Sequence, residues 1–242
     1  MPPSSIEPNR CILPILTLGP DNEVISVVGT GFIVGDPPIL ITAKHLFEGE
    51  TSAEEGTFGA LYGPSNDLKI APFRRIRMNP DHDIAAVYMQ GVPWIQSLQI
   101  SNQEVPCNQD VLTYEFSSTR IETLSTGERQ VAFTPFTHKG NVLRHYTSTF
   151  PESHPTPSLD TSFPALQGAS GAPVLRAYDF TVVGMLVANH ERHLLPAQVV
   201  RVETDSEAVE ETSYFLPVGK AIEGHFVLEV LDQMKISVAP AA

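Results

Sequence analysis

A chain of 242 residues with 42% hydrophobic and 18% charged content has the make-up of an ordinary globular domain. Its formal net charge of −13 argues against nucleic acid as the main partner, because phosphate binding demands a basic footprint. No apolar run approaches the length of a bilayer span, so no membrane partner is expected either.

The opening MPPSSIEPNRCILPIL carries prolines and a glutamate where a secretory signal needs a basic start and an uninterrupted apolar stretch, so a cytoplasmic location is expected. Two cysteines, Cys11 and Cys107, are too few for a disulfide framework and lack metal-ligand spacing. Both are expected to be free, and no metal or cofactor is expected. CILPILTL, EVISVVGTGFIVG and PILITA follow, short and rich in β-branched residues, bounded by Gly, Pro, Asn or Asp. They predict strands. DIAAVYM, DVLTYEF, RQVAFTPF and APVLRAYDFTVVGMLVA repeat the same texture, which points to barrel or sandwich sheets rather than alternating strands and helices. Segments 152–162 and 203–211 read as loops, and His138, His145 and His154 stand in loop-like, solvated sequence. Near the end, Ile222, Phe226, Val227, Val230, Leu231 and Met234 recur at spacings of three and four, predicting one C-terminal helix.

Three short stretches hold residues that could carry chemistry. In LQGASGAPVL, Ser170 lies between Gly168 and Gly171, a composition that serves a tight turn or a nucleophile whose neighbours must be small. A serine hydroxyl needs a base and a supporting acid. His45 in ITAKHLF ends a strand after Thr42 and Ala43, and fits either a base or a surface histidine opening a short turn. Asp83 directly precedes the apolar run Ile84–Val87, where a carboxylate at the entrance of a buried strand needs a partner or simply ends the strand. Asp81 competes with it but belongs to the polar NPDH turn. His190 and His193 in NHERH lack a third ligand at any standard spacing.

Taken together, GTGFIV followed by ITAKH, then HDIAAV, then GASGAPV followed by VVGMLVA, resemble the trypsin-fold serine peptidases, in particular the bacterial trypsin-like group that includes the HtrA proteases. The likeness spans about residues 25–190. The order histidine, aspartate, serine and the Ala at position 172 set it apart from an α/β-hydrolase elbow. The resemblance implies an all-β, chymotrypsin-like fold of two six-stranded antiparallel β-barrels with a C-terminal α-helix. Residues 1–242 would form a single domain, with barrels over about 10–110 and 111–215 and the helix over 216–236. It implies a serine endopeptidase acting on a protein or peptide substrate, with His45, Asp83 and Ser170 as the triad and the backbone N–H groups of Gly168 and Ser170 as the oxyanion hole. The substrate pocket would be lined by Ser162, Pro164, Val187, Ala188 and Asn189, small or apolar residues that imply a preference for small or medium apolar side chains. A catalytically silent or partner-activated binding module on the same fold is the alternative. Where digestive relatives carry an aspartate before the serine that receives a freed N-terminus, this chain has Ala169, so its loops must set the oxyanion hole without N-terminal processing. The sequence leaves the oligomeric state open.

Overall fold

Val- and Ile-rich segments cut by glycine and proline build sheets in this protein. The computed structural model describes residues 6–48, 56–64, 66–123, 129–132, 134–149, 154–193 and 215–241. One helical turn, α1 (Pro8–Cys11), leads into the first half: β1 (Ile12–Leu18), β2 (Val24–Val34), β3 (Ile39–Thr42), β4 (Phe58–Tyr62), β5 (Lys69–Pro72), β6 (Ile76–Met78) and β7 (Ala85–Tyr88). The second half holds β8 (Asp110–Glu115), a ribbon of β9 (Arg120–Thr123) and β10 (Arg129–Ala132), β11 (Phe136–Ser148), β12 (Thr156–Thr161), β13 (Pro173–Arg176), β14 (Val182–His193) and β15 (Phe215–Glu223). Helix α2 (Gly224–Gln233) follows.

The expected pair of barrels is present in architecture, with one difference in closure. Six strands of the second half close a barrel in the order β11-β12-β15-β14-β13-β8. The first half is a seven-stranded half-barrel sheet, β5-β4-β1-β2-β3-β7-β6, with β5 and β6 at its edges among the described residues. Pro72 ends β5 without an N–H to donate, and Arg74, Arg75 and Arg77 place charge beside β6. Both features keep an edge strand from further pairing.

Each half fills its interior with its own apolar side chains: Leu13, Ile15, Ile33, Leu40, Phe47, Phe58 and Phe73 in the first, and Val111, Val142, Leu159, Val174 and Leu186 in the second. A third cluster joins them, in which Ile12, Phe32 and Ile84 meet Phe116, Leu175, Met185 and the helix residues Val227, Val230 and Leu231. The two halves therefore share a core along the seam where a cleft between barrels would lie. Cys11 sits in that seam, and desolvation pushes its thiol up to about 12 against the opposing charge of Arg10, which makes it a packing group. Cys107 is exposed, and both are free as expected. Among the described residues no helix is long and apolar enough to cross a membrane.

Three sequence expectations need correction. The helix expected over 216–236 begins only at Gly224, because Phe215–Glu223 is β15, the strand that pairs with β12 and β14 and closes the barrel. Ile222 lies in that ladder opposite Ser158 and Met185, and pairing on both sides outweighs the helical spacing of a stretch containing Gly219. The segment 152–162, read as a loop, contains β12. Its alternation is hidden because Thr156, Ser158 and Asp160 are polar yet fully buried, with Asp160 held by Arg144 at 2.6 Å and placed opposite the buried Lys220. His138 and His145 likewise lie on β11 rather than in a loop, whereas His154 is exposed beside Asp81. Segment 203–211 lies outside the described residues.

The β13–β14 hairpin shows how a local charge fixes a turn. Arg176 donates to both oxygens of Asp179, at 3.0 Å from Nε and 2.6 Å from Nη2, and the Thr181 N–H donates to the same carboxylate at 3.1 Å. Partial burial alone would raise the Asp179 carboxyl, but these hydrogen bonds prevail and hold it below its ordinary range. A depressed folded-state value contributes stability that is present above the unfolded value of about 3.9 and is lost as pH falls through the folded value. Asp179→Asn should therefore unfold at lower urea concentration than the parent at pH 7, with the gap narrowing below about pH 4. A gap independent of pH would assign the effect to the turn's shape instead of its charge.

Candidate active site

Strand β3 ends at Thr42, and the chain turns through a single 3-10 turn, Lys44–Phe47, that carries His45. Phe47 anchors the turn in the first half's interior, and the imidazole is left at the surface with its side chain 37% exposed. Asp83, two residues before β7, reaches it twice. Its Oδ1 accepts the His45 backbone N–H at 2.8 Å, and its Oδ2 lies 2.6 Å from His45 Nδ1. A carboxylate accepts, so this contact places the proton on Nδ1 and leaves Nε2 as the basic nitrogen. The Asp83 side chain is only 6% exposed, which makes the pairing a requirement of burial.

The polar NPDH turn before Asp83 is built by Asn79 and His82, whose supporting roles the sequence did not single out. Asn79 Oδ1 accepts the N–H groups of Asp81 and His82, both at 2.9 Å, and the Asn79 N–H donates to Ile84 O. His82 is itself buried, with Nδ1 2.9 Å from Thr156 Oγ1 and its ring edge-on to Phe226 of α2 at 4.8 Å. Thr156 Oγ1 spends its proton on His154 O, so it accepts from His82. The acid's turn is thereby fastened to the second barrel and to the terminal helix. An asparagine two residues before an aspartate was the available signal for the turn, but nothing local announces Thr156, 74 positions away.

Ser170 lies in the segment between β12 and β13, half-buried, and the loop around it is pinned by backbone hydrogen bonds. Ala169 N–H donates to Leu166 O, Ala172 N–H to Ala169 O, and Gly171 N–H to Leu186 O, at 2.7–2.8 Å. Among the described residues the N–H groups of Gly168 and Ser170 have no such acceptor. Gly168 has φ +96, and a β-carbon there would stand 3.0 Å from Ser117 Cα. Gly171 has φ +84, and a β-carbon there would collide with Thr42 Oγ1 and Thr30 O and stand 3.0 Å from Ala43 N. The glycine after Ser170 is thus pressed onto the strand end that leads to His45.

Thr30 of β2 locks this junction. It is fully buried, its N–H donates to Ser170 O at 2.9 Å, its Oγ1 donates to Gly168 O at 2.9 Å and accepts the Phe116 N–H at 3.2 Å, and its carbonyl accepts Thr42 Oγ1 at 2.6 Å. One residue of the first sheet therefore holds both carbonyls flanking buried Ala169. The arrangement leaves two free N–H donors, a hydroxyl, and an imidazole oriented by a buried carboxylate on neighbouring pieces of chain, which is the equipment for acyl transfer.

The expected pocket residues divide. Ser162 Oγ accepts the Asn141 N–H at 2.9 Å. Asn189 clamps Ala165, its Oδ1 accepting that N–H at 2.6 Å and its Nδ2 donating to the carbonyl. Pro164 and Ala188 are half-buried. Val187 does not offer its side chain to a pocket: it is 4% exposed and packs in the shared core with Phe32 and Ile84, at the irregularity in the β14–β15 ladder between Leu186 and Ala188. Of the NHERH histidines, His190 Nδ1 is 3.3 Å from both Asp160 Oδ1 and the Tyr146 hydroxyl, and the His193 side chain lies outside the described residues.

A family model described as a trypsin-like peptidase domain matches residues 29–185. No curated protein sequence matches the chain. Among solved structures, the active form of the Rv3671c protease of M. tuberculosis is similar, with TM-score 0.58 and 15% identity over 97% of this chain and 84% of that one. Neuropsin, a serine protease expressed in the limbic system of mouse brain, has TM-score 0.59 and 12% identity over 95% and 97%. The HtrA-type protease AlgW, solved with a decapeptide, has TM-score 0.58 and 12% identity over 94% of this chain and 65% of that one.

Proposed function

Because the chain belongs to the trypsin-like peptidase domain family, we propose that it is a serine endopeptidase that hydrolyses peptide bonds through Ser170, His45 and Asp83. The observation that carries this reading is the double contact of buried Asp83 with the backbone and ring of His45, beside a glycine-flanked serine pressed onto the same strand end. His45 Nε2 takes the Ser170 proton as the hydroxyl oxygen bonds to the scissile carbonyl carbon. Asp83 holds the imidazolium that forms. The carbonyl oxygen becomes an oxyanion, received by the N–H groups of Gly168 and Ser170, each such donor being worth about 10²- to 10³-fold in rate. Collapse of this intermediate breaks the C–N bond, His45 returns the proton to the departing amine, and the acyl group stays on Ser170. Water, deprotonated by His45, then releases the acid by the same route.

The substrate is a protein or peptide, accepted through a small or medium apolar side chain before the scissile bond. Pro164 and Ala188 supply the walls, and Asn189 fixes the Ala165 backbone beside them. Asp160, the nearest acid on β12, is fully buried against Arg144, so it is not available to a basic side chain.

A serine-directed fluorophosphonate probe tests the reading on the intact chain. Covalent labelling of the parent and none of Ser170→Ala is the expected result. Absence of labelling in the folded parent would overturn it in favour of a catalytically silent or partner-activated binding module on the same fold.

A further inference from the structure

Strand β8 ends in a buried carboxylate. Val111, Thr113 and Glu115 form its inward face, each with 0% exposure. Among the described residues no lysine or arginine pairs with Glu115, and the one ion-pair contact, from His138 Nε2, is 3.6 Å long and not a hydrogen bond. The His138 ring itself stacks on Phe163, the neighbour of Pro164 in the pocket segment, with 5.9 Å between centroids. Packing does not ask for a charge here: burying a carboxylate is costly, and an apolar side chain of similar volume would serve the barrel as well.

What Glu115 holds is the turn that follows it. Its Oε2 accepts the Ser117 N–H, and its Oε1 accepts the Ser117 hydroxyl at 2.8 Å. The Thr119 N–H closes the turn on Phe116 O at 3.1 Å. Ser117 in turn stands against Gly168, where an added β-carbon would lie 3.0 Å from Ser117 Cα and 3.6 Å from Ser117 N. The two segments are also tied through Thr30, whose Oγ1 accepts the Phe116 N–H and donates to Gly168 O. Gly168 has no side chain to anchor it and sits at φ +96, so its orientation must be imposed from outside. Thr30 fixes its carbonyl. Ser117 walls the side on which its α-carbon lies, so the peptide carrying the Gly168 N–H cannot rotate without pushing on that turn.

We infer that Glu115 is a positioning residue for the oxyanion hole, fixing the direction of the Gly168 N–H through its double hold on Ser117. Its consequence for rate rests on the peptidase reading, while its consequence for the Gly168 backbone does not. Glu115 touches neither substrate nor the reacting atoms. Its effect passes through one turn to one N–H donor, which places it on the transition state and not on substrate binding.

The test compares Glu115→Leu with Glu115→Gln in the full chain. Leucine fills the space without accepting a hydrogen bond, whereas glutamine keeps both links, its oxygen on the Ser117 N–H and its NH₂ group donating to the Ser117 hydroxyl oxygen. With a fluorogenic peptide, Glu115→Leu should lower kcat by about 10- to 100-fold at unchanged KM, part of the worth of one oxyanion donor. Fluorophosphonate labelling should slow in parallel, and Glu115→Gln should stay close to the parent in both. If Glu115→Leu does not fold, Ser117→Ala decides: it loses the hydroxyl link alone and should lower kcat by about threefold or more. Parent-like kcat in folded Glu115→Leu, or in Ser117→Ala where leucine does not fold, overturns the inference and leaves the peptidase reading standing. So does a glutamine variant as slow as the leucine one. A folded parent that does not label overturns the peptidase reading instead, and the ¹⁵N-glycine spectrum of a chain with 16 glycines then decides the inference. The Gly168 amide resonance should move in Glu115→Leu and not in Glu115→Gln; an unmoved resonance overturns it.

Discussion

Asp83→Asn is expected to lower kcat/KM by about 10⁴-fold while leaving the protein folded. The backbone N–H of His45 dictates which way the new amide turns: its oxygen stays on that donor, which puts the NH₂ group opposite Nδ1, where the Asp83 carboxylate oxygen now lies at 2.6 Å. Two donors cannot face each other, so the ring must give up its Nδ1 proton and carry it on Nε2 instead. The nitrogen that should accept the Ser170 proton is then already protonated. The loss falls on kcat and on the rate of fluorophosphonate labelling, while circular dichroism and the urea midpoint stay near the parent's. A folded variant within tenfold of the parent rate would remove Asp83 from the mechanism.

The largest effect on stability is expected at Gly171. An alanine there meets Thr42 Oγ1, Thr30 O and Ala43 N together, at a backbone angle of φ +84, and disturbs the N–H bond to Leu186 O. Gly91 supplies the control, since its φ is +81 and nothing lies within 4 Å of the added carbon. Gly91→Ala isolates the strain of the left-handed conformation, about 1–2 kcal/mol. Gly171→Ala adds overpacking against backbone that cannot yield, for a total of roughly 4 kcal/mol or more. Urea titration of the two variants gives the difference directly. If Gly171→Ala unfolds no earlier than Gly91→Ala, the nucleophile loop is not keyed to the end of β3.

What could be read from the residues alone was whatever a few neighbouring positions encode. The strands around GTGFIV, ITA and DIAAV, the small residues about Ser170 and the helical spacing beyond Gly224 all obey short periodicities or turn chemistry. β12 was not legible, because its buried positions hold Thr156, Ser158 and Asp160, whose partners lie on other strands. β15 was hidden by a helical spacing that begins inside it at Ile222. The supports of the site escaped for the same reason. His82 answers to Thr156 and Phe226, and Thr30 to Gly168 and Phe116, pairings that exist only after the halves have docked. Val187 was placed in the pocket because its segment borders it, while its orientation is set by the ladder irregularity between Leu186 and Ala188 and by the shared core.

The Thr30 junction also bears on the order in which the parts of the proposed site can assemble as the chain is made. A ribosome delivers β2, His45 and Asp83 first, and the nucleophile loop much later. That loop is not shaped by its own residues: it waits for Leu186 to accept the Gly171 N–H and for Thr30 to hold the carbonyls of Gly168 and Ser170. Leu186 belongs to β14, which completes the barrel only when β15 arrives between it and β12, at Phe215–Glu223 of a 242-residue chain. A nascent chain therefore carries His45, Asp83 and Ser170 before the strands that shape the Gly168–Ser170 turn are all present. On the proposed mechanism, the oxyanion hole is thus among the last parts of the fold that synthesis allows to form.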